Sequence, residues 1–172
     1  GLPGCDLCLA SLNLNLRQLQ VPGYTCFAIS TYYGSVKEWL NQIKYHSHYQ
    51  AAVVFGEILG LAAQAIKAFY SVDYLMPVPL HTQRLKERGY NQAAVFATGM
   101  THVWKRPIYQ AVRIRNTVPQ NDLTPLQRMR NLTGSFVIPH PEQIKGKYVL
   151  IVDDIYTTGT TFKVLANVLA LH

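Results

Sequence analysis

Residues 149–161 read VLIVDDIYTTGTT. With Tyr148 in front, YVLIV is continuously apolar and β-branched, the pattern of a strand covered on both faces. Two acids follow at once, Asp153 and Asp154. Then come Ile155, Tyr156, Thr157, Thr158, Gly159, Thr160 and Thr161. Phe162, Leu165, Ala166 and Leu169 recur at helical spacing, so a helix is expected from about Thr160. In open α/β sheets, ligands bind beyond the carboxyl ends of the strands, where the two acids stand. A helix N-terminus offers unpaired N–H groups and the positive end of a dipole, which suits a phosphate. Threonine hydroxyls add donors, and Gly159 permits positive φ and close backbone approach. The two carboxylates beside this cradle suit ribose hydroxyls or a divalent cation such as Mg²⁺. Capping a helix needs only one side chain, far less than this string supplies. It is not a Walker loop, because no GK[ST] is present. The loop is therefore expected to bind a ribose 5-phosphate type of ligand.

Working outward, 72–78 (VDYLMPV) reads as a short buried strand stopped by Pro77 and Pro79. Strands are also expected at 108–112 and 136–138. Val36, Trp39, Leu40 and Ile43 predict a helix over 35–46. Phe55, Ile58, Leu59, Ala62, Ile66 and Phe69 predict another over about 50–70. A third stripe runs Ala93, Phe96, Ala97, Met100, Val103, Trp104. Residues 24–33 (YTCFAISTYY) suit a strand or hairpin. Helices alternating with buried strands predict an α/β fold, a parallel sheet flanked by helices. The expected organisation is a small CxxC segment over 1–23 and one domain over 24–172.

The formal charge is +7, which fits an anionic partner. Nine of the 16 Lys and Arg lie between residues 84 and 130. Seven of these fall in two segments. The first, 77–93 (PVPLHTQRLKERGYNQA), carries Arg84, Arg88 and Gly89, with Asn91 as a cap for the next helix. The second, 113–132 (RIRNTVPQNDLTPLQRMRNL), carries Arg113, Arg115, Arg128 and Arg130 among polar residues. Arginine forks suit phosphate oxygens; solvated basic turns and a contact with nucleic-acid backbone are open alternatives. Cysteines number three, an odd count that argues against a disulfide framework. Cys5 and Cys8 have the spacing of half a four-ligand zinc site, and Zn²⁺ and plain thiols both remain open. No apolar run approaches the roughly 20 residues of a membrane span. Nor does the start resemble a signal peptide, so a cytoplasmic location is expected by default.

The 149–161 string resembles the phosphoribosyl-pyrophosphate motif of type I phosphoribosyltransferases. The two basic segments narrow this to a resemblance to the ComF/GntX family, the competence-protein branch of that fold. The matching positions are His81, Arg84, Leu85, Arg88, Gly89, Tyr90, Asn91 and Gln92, then Arg113, Arg115, Thr117, Gln120, Leu123, Arg128 and Asn131. The resemblance implies phosphoribosyl pyrophosphate with Mg²⁺ as ligand, the 5-phosphate on Thr157–Thr161 and the ribose hydroxyls on Asp153 and Asp154. It places a pyrophosphate loop around Arg88 and Gly89 and a mobile loop over 113–131. It implies a role in DNA uptake and natural transformation, with single-stranded DNA and other competence proteins as candidate partners. A transferase with an unnamed acceptor and a non-enzymatic single-stranded-DNA-binding factor on the same scaffold are both compatible with it. Family members carry a CxxC pair ahead of this one and a strand after the last helix. The domain is thus expected to lack its last strand, and the zinc site to be incomplete.

Overall fold

The computed structural model describes residues 14–45, 48–116, 127 and 132–172. Cys5, Cys8, Gln120, Arg128 and Arg130 lie outside the described residues, as do Thr117, Leu123 and Asn131. In chain order the strands and helices are β1 (Arg17–Val21), β2 (Tyr24–Ala28), α1 (Gly34–Tyr45), α2 (Tyr49–Gln64), β3 (Tyr74–Pro77), α3 (Thr82–Arg88), α4 (Gln92–Val103), β4 (Val112–Arg113), β5 (Phe136–Val137), β6 (Val149–Val152) and α5 (Thr160–Leu169).

The parallel sheet is small. β3 pairs with β6 in parallel, from Tyr74↔Val149 to Pro77↔Val152. On the other side of β3, a parallel bridge joins Leu75 to Ile108. It rests on Leu75 N–H to Pro107 O at 2.9 Å and Tyr109 N–H to Leu75 O at 2.8 Å. Side chains alternate along these strands, as a pleat requires. Leu75 and Val152 face one cluster with Phe96 and Met100, while Met76 faces a second with Leu132, Ile138 and Leu165. The sheet is thus covered on both faces, as expected from YVLIV. Only Val152 of β6 is fully buried, however, because β6 lies at the edge of the described sheet.

The first cluster depends on glycine. A Cβ on Gly99 would overlap the carbonyl oxygen of Val53, and one on Gly56 would overlap that of Phe96. One on Gly60 would sit 2.5 Å from Val103 Cγ2. Gly56 and Gly60 are one turn apart on α2, so the backbones of α2 and α4 meet along a seam without side chains. Phe55 and Phe96 pack beside it at 5.3 Å between ring centroids.

Four local expectations change. The helix expected over 50–70 ends at Gln64. Ile66 turns extended (φ −90°, ψ 109°), and a 3-10 turn over Lys67–Phe69 keeps Ile66 and Phe69 in the core. The basic stretch after β3 is a helix, α3, and it buries no residue, so no apolar stripe announces it. The strand expected over 108–112 splits into the bridge at Ile108 and β4. β4 and β5 then pair with each other antiparallel and do not join the parallel sheet. The aromatic segment 24–33 forms an antiparallel hairpin with β1, which draws 17–21 of the CxxC segment into the same pair.

Candidate functional site at the carboxyl end of the parallel strands

β3 and β6 finish side by side, held by Val78 N–H to Val152 O at 2.9 Å. Beyond β6 the chain becomes polar. Asp153 is exposed and Asp154 half-buried, and Asp153 Oδ1 accepts the Asp154 N–H at 2.9 Å. The next turn reaches Gly159, the N-cap of α5, at φ 68° and ψ 11°. No side chain caps the helix there. Thr157 and Thr158 are exposed, Thr160 is buried and Thr161 half-buried. The Thr158 and Thr160 hydroxyls share a hydrogen bond at 2.8 Å. The sequence suggests that Gly159 gives room for a ligand. In this conformation the room is filled by Tyr156, whose hydroxyl would lie 2.6 Å from a Cβ on Gly159.

The exit of β3 builds the second wall. His81 Nδ1 accepts the Gln83 N–H at 3.2 Å and so caps α3. Gly89 ends α3 at φ 79°, a left-handed turn that favours glycine. Tyr90 donates its hydroxyl hydrogen bond to the Ile43 carbonyl of α1. Asn91 Oδ1 accepts the Ala93 N–H at 3.1 Å, capping α4, while its Nδ2 donates to Val78 O at 3.0 Å. Arg88 donates to Gln92 Oε1 at 3.3 Å, and Gln92 is buried. Most of RGYNQ is therefore scaffold that fixes the α3–α4 corner against the β3 exit. Asn91 as a cap is as expected.

Charge converges from three elements. The Arg113 guanidinium, on β4, lies over the Phe136 ring at 5.8 Å. Burial pulls its pKa below the ordinary value. The positive charge of Arg84 pulls the same way, and the Asp153 carboxylate pushes back. Arg84 from α3, Arg113 from β4 and Asp153 from the β6 exit thus share one electrostatic neighbourhood. Arg84 also meets Glu87 at 3.8 Å on the surface of α3. Asn116 donates to Gln83 Oε1 at 2.5 Å, which ties the start of the second basic segment to α3. Arg115 donates instead to the Thr133 carbonyl at 3.2 Å. The structure links Arg113 to Asp153 and to Arg84; the described contacts of Arg88 and Arg115 are with Gln92 and Thr133.

A cavity of about 650 Å³ runs along β6 and opens at this loop. Its far wall is the hairpin, with Tyr24, Cys26 and Phe27 facing the loop residues Tyr156 and Gly159. Tyr24 locks the hairpin to α5, edge-on to Phe162 at 5.5 Å and hydrogen-bonded to Asn167 Oδ1 at 2.9 Å. Burial pushes the Cys26 thiol up from its ordinary pKa. No motif in the sequence marks these individual hairpin residues as facing the loop. Their apolar pattern marks a strand but does not say what the strand faces. Among the described residues, no group of three His, Cys, Asp or Glu side chains is placed to hold a metal ion. The donor set at the loop is the pair Asp153 and Asp154. That suits Mg²⁺, which commonly takes one or two carboxylates and completes its shell with ligand oxygens and water.

No family model matches the chain. It is 27% identical over 176 residues to DNA utilization protein YhgH of Salmonella typhimurium, covering 97% of this chain and 76% of that protein. It is 25% identical over 136 residues to Competence protein F of Haemophilus influenzae, 76% of this chain and 59% of that one. It is 26% identical over 148 residues to Competence protein ComFC of Bacillus subtilis, 83% and 56% respectively. The chain thus spans between about half and three quarters of the length of these relatives. These matches run along most of the chain, and together with the DD–TTG loop and the RGYNQ corner they support the ComF family.

Proposed function

We propose that this chain binds phosphoribosyl pyrophosphate, or a close ribose 5-phosphate relative, with Mg²⁺ at residues 153–161, in a protein that serves DNA uptake. One observation carries the ligand reading. Two carboxylates leave β6 and run into a helix start with no side-chain cap, and the Arg113 guanidinium lies within reach of the charge of the first of them and of Arg84. In this reading the amides and hydroxyls of Thr157, Thr158, Thr160 and Thr161 take the 5-phosphate. Asp153 and Asp154 accept from the ribose hydroxyls and supply carboxylate oxygens to Mg²⁺. Arg84 and Arg113 face the pyrophosphate, and the segment carrying Arg115, Gln120, Arg128 and Arg130 closes over it. Tyr156 moves off Gly159 as the phosphate enters. The same reading takes the fold as type I phosphoribosyltransferase-like and Cys5 and Cys8 as half of a zinc site. The names of the relatives, competence and DNA utilization, support the role in DNA uptake.

If the ligand is turned over, the ribose carbon becomes electron-poor as pyrophosphate leaves. Arg84 and Arg113 then hold the charge building on the leaving group, and bound Mg²⁺ supplies further charge neutralisation. Titration calorimetry with phosphoribosyl pyrophosphate tests the binding. Heat of binding is expected with Mg²⁺, and a large loss of affinity in Asp153→Asn/Asp154→Asn. Absence of binding up to millimolar ligand would refute it. A non-enzymatic reading is favoured by the relatives' names, none of which is that of a transferase. It is separated from the first by release of pyrophosphate on mixing with candidate acceptor bases.

A further inference from the structure

The opposite end of the sheet carries a second cationic surface. Three segments enter the parallel strands there: 67–73 before β3, 104–107 before the bridge at Ile108, and 145–148 before β6. They are bonded to one another. Asp73 N–H donates to Tyr148 O at 2.8 Å, and Tyr148 N–H donates back to Asp73 Oδ2 at 2.9 Å. Leu75 N–H reaches Pro107 O, and an Arg106 guanidinium N–H donates to Tyr70 O at 3.3 Å. Five cations stand on these segments: Lys67, Lys105, Arg106, Lys145 and Lys147. The one acid within them, Asp73, pairs with Lys147 at 3.6 Å. Arg106 is held over the Trp104 ring at 5.6 Å.

Two tyrosines stand in the same cluster with their rings in solvent. Tyr70 is 63% exposed and Tyr148 65% exposed. Tyr109, by contrast, is 6% exposed, so composition alone does not say which tyrosines can stack. Tyr148 is more telling than Tyr70. It begins the apolar run of β6, where burial is expected, yet it remains open among lysines.

We infer that this amino-end surface, Tyr70 and Tyr148 set among Lys67, Lys105, Arg106 and Lys147, is a binding surface for single-stranded nucleic acid, distinct from the loop at 153–161. Exposed aromatic faces stack on unpaired bases whatever the sequence, and the surrounding cations follow the phosphates. A duplex keeps its bases stacked internally and offers these rings nothing. The inference rests on the DNA side of the proposed function and is independent of the ribose-phosphate ligand. By the polarity of the strands, the two surfaces sit at opposite ends of one sheet.

Anisotropy of a labelled oligo-dT over a salt series tests it. Tyr70→Ala/Tyr148→Ala is expected to weaken binding about thirtyfold or more, at the low end of what two base stacks contribute. Tyr70→Phe/Tyr148→Phe, which keeps both rings, is expected to retain it. Lys67→Ala/Lys105→Ala is expected to flatten the slope of log K against log salt by about 0.7 for each phosphate no longer neutralised. Duplex DNA of the same length is expected to bind more weakly. Unchanged binding by the alanine pair would overturn the inference, as would equal affinity for duplex or no binding of oligo-dT. So would loss of binding in Arg84→Ala/Arg113→Ala with the tyrosine variants unaffected. Calorimetry with phosphoribosyl pyrophosphate on the tyrosine variants should match the parent, so failure of the ligand reading and failure of this one are told apart.

Discussion

Asn91 bonds in two directions, to the first turn of α4 and to the carbonyl of Val78 where β3 ends. Asn91→Ala removes a cap and leaves a carbonyl without its donor. A loss of about 1–2 kcal/mol is expected by chemical denaturation. Tyr109 is the opposite case. Its hydroxyl is buried with no hydrogen-bond partner among the described residues. Tyr109→Phe should therefore cost nothing at neutral pH and gain up to about 1 kcal/mol. Burial, with the Glu142 charge adding to it, raises the Tyr109 pKa above its ordinary 10.0. The unfolded chain then loses this proton first, so the stability tied to it is full below about pH 10 and is lost as pH rises through the folded value. Tyr109→Phe should flatten the alkaline limb of a stability–pH curve. Arg113 tests the site itself. Arg113→Met keeps the packing against Phe136 and removes the charge beside Asp153. It should lower affinity for phosphoribosyl pyrophosphate at least about tenfold, as for a missing charge-assisted hydrogen bond, with little change in denaturation midpoint. At this scale the sequence was informative about type and silent about direction. Asn91 was readable as a cap, but its bond to Val78 was not, because that partner comes from tertiary packing.

Among the elements, the seam of α2 and α4 is the most sensitive to one methyl group. Gly99→Ala forces a Cβ into the Val53 carbonyl, which belongs to helix backbone and cannot swing aside. A destabilisation of about 1–3 kcal/mol is expected in thermal or denaturant unfolding, with Gly56→Ala similar. Substitution at Gly146, with nothing within 4 Å, meets no such wall and is limited by its φ of 71° alone. The elements that could be read from pattern were those with a buried stripe. α1, α2, α4, α5, β3 and β6 all bury residues at the spacing their backbones impose. α3 has no buried residue and ends in a basic, polar corner, so periodicity could not show it. The break after Gln64 was hidden for the converse reason: Ile66 and Phe69 continue the apolar spacing while the backbone leaves the helix. β4 and β5 are two residues each, with Val112 and Val137 open to solvent, too short for any alternation to mark their pairing.

Across the whole molecule the parallel strands give the sheet two unlike ends. The carboxyl end gathers the two acids, the α5 helix start and the Arg84–Arg113 pair. The amino end gathers exposed tyrosines and lysines. Among the described residues no helix is long and apolar enough to cross a membrane. The sequence located the carboxyl-end loop because its chemistry is contiguous in the chain. It did not reveal the amino-end cluster, whose residues come from three separated segments that only the sheet brings together. The central claim remains the ribose-phosphate loop. Its most direct test is an amide NMR titration with ribose 5-phosphate. The N–H signals of Thr157, Thr158, Gly159, Thr160 and Thr161 are expected to move first and furthest, with Asp153 following once Mg²⁺ is added. Saturable binding that leaves these amides unmoved, or moves those around Tyr148 instead, would contradict it.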